Sequence, residues 1–152
     1  MFFPLPTWNF GYQRMGSSNL AGVSSYTYSL FNMFGHEKLR AYPKSIEFVA
    51  LTYAIVEKLP KGHGKLIDQL QRAAISVPLN IAEGSGKISE SDKKRYYSIA
   101  RGSAMECVAM LDVLYSLTLL DTQSRDLGRE LLNEVVGILT VICNGKRQVP
   151  GR

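Results

Sequence analysis

The sequence predicts an all-α protein: an antiparallel up-down-up-down four-helix bundle with a flexible N-terminal tail. Three observations carry this. Apolar side chains recur at three- and four-residue steps in four separate stretches. Short links rich in Gly, Pro, Ser and Asp join the stretches, and none of them alternates as a strand would. Finally, charge is nearly absent before residue 36 and begins where the periodicity begins.

The organisation follows: residues 1–35 form a tail, 36–147 the bundle, and 148–152 a short C-terminal tail. The first segment holds Trp8, five phenylalanines and three tyrosines among Gly, Ser, Asn and Pro, with Arg14 its one charged residue. "MFFPLPTWNFGYQR" has prolines inside its apolar part and no basic start, so it does not read as a signal peptide. Met33 offers an alternative start, which the intact mass of the native protein would decide.

The first helix reads "AYPKSIEFVALTYAIVEKLPKG". Its expected inner face is Ile46, Val49, Ala50, Tyr53, Ile55, Val56 and Leu59. Pro43 suits a first turn, and Pro60 with Gly62 stops the helix. The second has Leu66, Ile67, Leu70, Ala73, Ala74, Val77 and Ile81 as its stripe. Pro78 is expected to kink it without breaking it, and Gly84 to close it as a left-handed C-terminal residue. The third runs from Ser89 to about Leu120, with Ser89 and Asp92 forming a capping-box variant. Tyr96, Ile99, Ala100, Ser103, Cys107, Met110, Leu111, Leu114 and Leu117 form its stripe, over roughly 45 Å. The fourth is expected to begin at Ser124 as N-cap. Leu127, Leu131, Val135, Ile138, Leu139 and Ile142 face inward, flanked by Leu132, Val136 and Val141, and Asn144-Gly145 ends the helix.

The chain has 152 residues, a net charge of +5 and a pI of about 9.3, which admits a polyanionic partner. Cys107 and Cys143 lie on apolar stripes and read as reduced, buried thiols of a cytoplasmic protein. No apolar run is long enough to span a membrane. Gly84-Ser85-Gly86-Lys87 has the look of a phosphate cradle, but Ile81 stands where the first glycine belongs, Ile88 follows the lysine, and a helix precedes it. The run is a turn. His36 and His63 lack a Glu three residues before them, and neither is near a cysteine in sequence. No catalytic residue, metal or cofactor is expected.

The polar residues close to the apolar faces are more informative. Gln69, Arg72, Asn80, Glu83, Ser103 and Glu106 are expected to form a polar network between helices two and three. With the turn centred on Gly86–Lys87, Arg72 lies opposite Arg101, near Glu106, and Asn80 lies opposite Lys93. Lys87, Lys93, Lys94, Arg95 and Arg101 are the candidate phosphate contacts, with Tyr97 able to stack on bases; Tyr96 suits core packing.

These residues carry a resemblance. "QLQRAAISVPLNIAEGSGK" followed by "YYSIARGSAMECVAMLDV" resembles the signature of the four-helix-bundle family named for the intervening sequence of 23S rRNA genes. The resemblance implies a bundle assembled as a ring-like homopentamer. It also implies kinship with the accessory protein of diversity-generating retroelements, a basic pentameric barrel that binds reverse transcriptase and nucleic acid. The expected function is a non-enzymatic scaffold, homopentameric, binding RNA, DNA or a nucleoprotein partner. The alternative is a protein–protein adaptor with no nucleic-acid role.

Overall fold

The computed structural model describes residues 34–144; the readings of the tail before Phe34 and of residues 145–152 lie outside them. Every regular element described is helical. A short 3-10 turn, Gly35–Lys38, leads into α1 (Ala41–Val56), α2 (Gly64–Gly86), α3 (Glu90–Ser116) and α4 (Thr122–Asn144). Each helix packs on its neighbours in the order α1, α2, α3, α4 and back to α1, while the backbones of the diagonal pairs α1–α3 and α2–α4 stay apart. α3 runs antiparallel to both α2 and α4: Ser76 of α2 meets Ser103 of α3, while Gly84 meets Tyr96 and Tyr97. Arg101 meets Thr140, and Asp112 meets Arg129.

The core is built from Phe48, Leu70, Val77, Ile81, Leu111, Leu114, Leu132, Val135 and Leu139, all fully buried. The stripe of α2 is as its spacing predicts, and the helix continues through Pro78. Ser89 caps α3, accepting the Asp92 amide at 3.1 Å.

Four expectations are corrected. The buried face of α1 is Ala41, Ser45, Phe48, Thr52 and Ile55, whereas Ile46, Ala50 and Tyr53 face outward. Counting apolar residues missed this because Ser45 and Thr52 hide their hydroxyls, donating to the carbonyls of Tyr42 and Phe48. Gly84 is not a left-handed cap: it lies inside α2, buried, where a Cβ would come within 2.9 Å of the Tyr97 ring. On α3, Ile99 and Leu117 are exposed, as is Leu127 on α4. Finally, Asp121 and not Ser124 opens α4, its carboxylate accepting the Ser124 amide at 2.8 Å. That bond, with one from the Ser124 hydroxyl, holds the Asp121 carboxyl below its ordinary pKa.

The link from α3 to α4 closes on Thr118, whose φ of 57° is left-handed. The amide of Leu119 reaches back to the Leu114 carbonyl at 2.9 Å, the bond that ends a helix in this way.

Candidate nucleic-acid interface

The corner where α2 turns into α3 holds Lys87, Lys93 and Arg95, while Arg101 lies farther along α3 on its seam with α4. Gly84 is what brings the helices together here. Its missing side chain lets Tyr96 and Tyr97 lie against the last turns of α2. Tyr97 is half-buried by this packing, which raises its phenol pKa. Tyr96 becomes the floor for cations: the Lys87 ammonium sits 4.8 Å from its ring centre, and the Arg95 guanidinium 6.0 Å.

The bases are not equivalent. Lys87 pairs with Glu83 at 2.5 Å, and Lys93 with Glu90 at 2.7 Å. These bonds raise both lysine pKa values, and Lys93 lowers that of Glu90. Two of the five candidate charges are therefore locally balanced. Lys94, Arg95 and Arg101 have no ion-pair partner among the described residues. Arg101 donates through Nε to the Thr140 hydroxyl at 2.8 Å, which pins it along the α3–α4 seam. Beside it, Cys143 is only half-buried and not buried as expected, because it lies in the last turn of α4, and its Sγ is 3.8 Å from the Lys94 carbonyl oxygen. Cys107 is fully buried, and burial pushes its thiol pKa up to about 12.

Of the six residues expected to form a polar network, Asn80 and Ser103 alone are linked, through Ser76, and Glu83 pairs instead with Lys87. Asn80 Nδ2 donates to the Ser76 carbonyl at 2.8 Å and to its hydroxyl at 3.0 Å, and that hydroxyl lies 2.8 Å from Ser103 Oγ. Arg72 pairs at 3.7 Å with Asp68 of its own helix, while Gln69 and Glu106 are exposed. The register explains the difference. α2 continues to Gly86 and α3 starts at Glu90, so Ser76 faces Ser103, farther along α3 than a turn centred on Gly86–Lys87 allows.

Two surface features had no strong sequence signal. Asp112 accepts from Arg125 Nε at 2.9 Å and Arg129 Nη1 at 2.5 Å, and both bonds hold its carboxyl below the ordinary range. Arg125 also lies 4.6 Å from the Tyr115 ring centre. Near the α2–α3 corner, Phe34 and His36 stack beside Lys87. In the sequence Phe34 falls in the tail and His36 at the start of the bundle, before the first helix, and neither belongs to a helical period.

Among the described residues no helix is long and apolar enough to cross a membrane. The fold and this corner define an all-helical bundle whose second and third helices are joined through small residues and a Ser–Ser–Asn cluster. The chain belongs to the 23S rRNA-intervening sequence protein family, whose profile matches residues 37–141. No curated protein matches it.

Proposed function

We propose that this protein is a non-enzymatic cytoplasmic scaffold that closes into a ring with copies of itself and holds nucleic acid, RNA or DNA, on its basic corner. One observation carries the reading: two apolar strips without a partner among the described residues lie on diagonally placed helices. On α1 the strip is Ile46, Ala50 and Tyr53; on α3 it is Ile99, Gly102, Met105, Ala109 and Val113. Tyr53 is 44% and Ile99 42% exposed, large areas to leave in water. Because the two strips differ and point away from each other, pairing one with the other is head-to-tail. Such contacts repeat around an axis, and they form a ring where the rotation between copies closes and an open filament where it does not. Five-fold closure is what the family resemblance implies. Lys94, Arg95 and Arg101 then supply the phosphate contacts, repeated once per copy.

Native mass spectrometry of protein purified without nuclease tests this. The expected result is a five-fold mass carrying added nucleotide mass, with Ile99→Asp reduced to a monomer. A monomeric wild type would overturn the ring. The second reading, a protein–protein adaptor, is favoured by the neutralised charges of Lys87 and Lys93. Salt separates the two, because phosphate-driven binding weakens steeply as salt rises and apolar docking does not.

A further inference from the structure

We infer that the open cavity between the Phe34 turn and the end of α2 is a stacking site for one unpaired nucleobase of a single-stranded nucleic acid; this rests on the nucleic-acid reading above. The cavity measures about 710 Å³ and is lined by Phe34, His36, Leu79, Glu83, Ser85 and Lys87 among others. Its size falls within the range of small-ligand sites.

The wall is built and braced. The Phe34 and His36 rings lie 5.8 Å apart and only 9° from parallel. His36 meets Tyr42 edge-on at 4.5 Å, and Tyr42 packs against the core. The Phe34 amide donates to Glu37 Oε2 at 2.9 Å, and the Glu37 amide returns a bond to the Phe34 carbonyl at 3.0 Å. Gly35 lets this turn seat on α2, since a Cβ there would stand 2.6 Å from Ser85 Oγ. Phe34 itself is nevertheless 72% exposed.

An anchored, exposed aromatic ring above an open cavity suits a flat partner, and stacking on a pre-placed ring loses little conformational entropy. The opposite rim selects the chemistry. Leu79 is apolar, whereas the Glu83 carboxylate, the Ser85 hydroxyl and the Lys87 ammonium offer both acceptors and donors. A heterocycle with a polar edge can donate to the Glu83 carboxylate and exchange a hydrogen bond with the Ser85 hydroxyl while its face lies on Phe34; an aliphatic side chain uses only Leu79. A paired base cannot enter, because its faces are already stacked and its edge occupied.

The test is fluorescence anisotropy with a labelled oligoribonucleotide, offered single-stranded and then annealed to its complement, at one salt concentration. The full chain is compared with Phe34→Ala and with Phe34→Trp, which keeps a stacking surface. Phe34→Ala is expected to lose roughly ten-fold or more in single-strand affinity. Its duplex affinity should be unchanged, and Phe34→Trp should keep single-strand binding near the wild-type value. If the wild type binds the strand and Phe34→Ala binds it equally well, the stacking site is overturned and the scaffold reading stands. If the wild type binds neither form, both are overturned. If Phe34→Ala changes the oligomer mass and leaves strand affinity intact, the ring is a protein contact and the nucleobase assignment is wrong.

Discussion

Replacing Gly84 with alanine tests how α2 and α3 meet. An ideal Cβ at this position lies 2.9 and 3.0 Å from Cε1 and Cδ1 of Tyr97 and 3.1 Å from Cβ of Tyr96. Carbon atoms in ordinary contact sit about 3.5–4.0 Å apart. The Tyr97 ring can turn, but the Tyr96 Cβ moves only with the α3 backbone, so part of the clash must be absorbed by separating the helices. Overpacking of this kind costs about 1–3 kcal/mol. Against it stands the gain of replacing glycine within a helix, roughly 1 kcal/mol. The net expectation is destabilisation of about 0–2 kcal/mol. Gly137 on α4 is the control, because a Cβ added there would meet nothing within 4 Å. There the same substitution should stabilise by about 0.5–1 kcal/mol. The difference between the two variants isolates the clash. Urea unfolding followed by circular dichroism, at matched protein concentration, reads it as a difference in midpoint. Gly84→Asn adds a second discrimination. A left-handed cap tolerates asparagine, whereas a packed contact rejects it more strongly than alanine. Equal midpoints for Gly84→Ala and Gly137→Ala, or a milder effect from Gly84→Asn than from Gly84→Ala, would refute the packing argument.

Two further predictions follow from the α3–α4 side. Thr118 is β-branched at a φ of 57°, so Thr118→Gly should stabilise by roughly 0.5–1 kcal/mol despite the added freedom of the unfolded chain, and a lower denaturation midpoint would contradict this. Asp112 has its pKa depressed by Arg125 and Arg129, so its contribution is fully present above the unfolded-state value of about 3.9 and is lost as pH falls through the folded-state value. Because the carboxylate is largely exposed, that contribution is about 1 kcal/mol or less. The stability difference between wild type and Asp112→Asn should therefore be constant from neutral pH to about pH 5 and shrink below pH 4. A difference that grows with acid would show that the arginines do not hold the charge.

Most of the architecture was legible because helical spacing is a local property. The stripe of α2, the passage through Pro78 and the Ser89 cap each depend on residues within a turn or two of one another. α1 was misread where local counting fails. Its face is set by what covers it, and Ser45 and Thr52 are buried at no cost once their hydroxyls bond to their own helix. Which of the candidate bases are paired and which are not was not legible. Which lysine is balanced by Glu83 or Glu90 depends on rotamers and on where the turn closes. The Phe34–His36–Tyr42 stack was not legible at all, since it joins a non-helical turn to the start of a helix.

Four amphipathic helices, their order and approximate ends, and a concentration of bases around the second turn are written in local sequence. Hydrophobic periodicity and capping chemistry act over a few residues, and one chain displays them completely. The tertiary structure decided the register of α2 against α3, the use of Gly84 as a contact and not a cap, and which apolar side chains remain uncovered. Those depend on distances between residues far apart in the chain. Ser76 and Ser103 can only be found to share a hydrogen bond once the helices have been laid side by side.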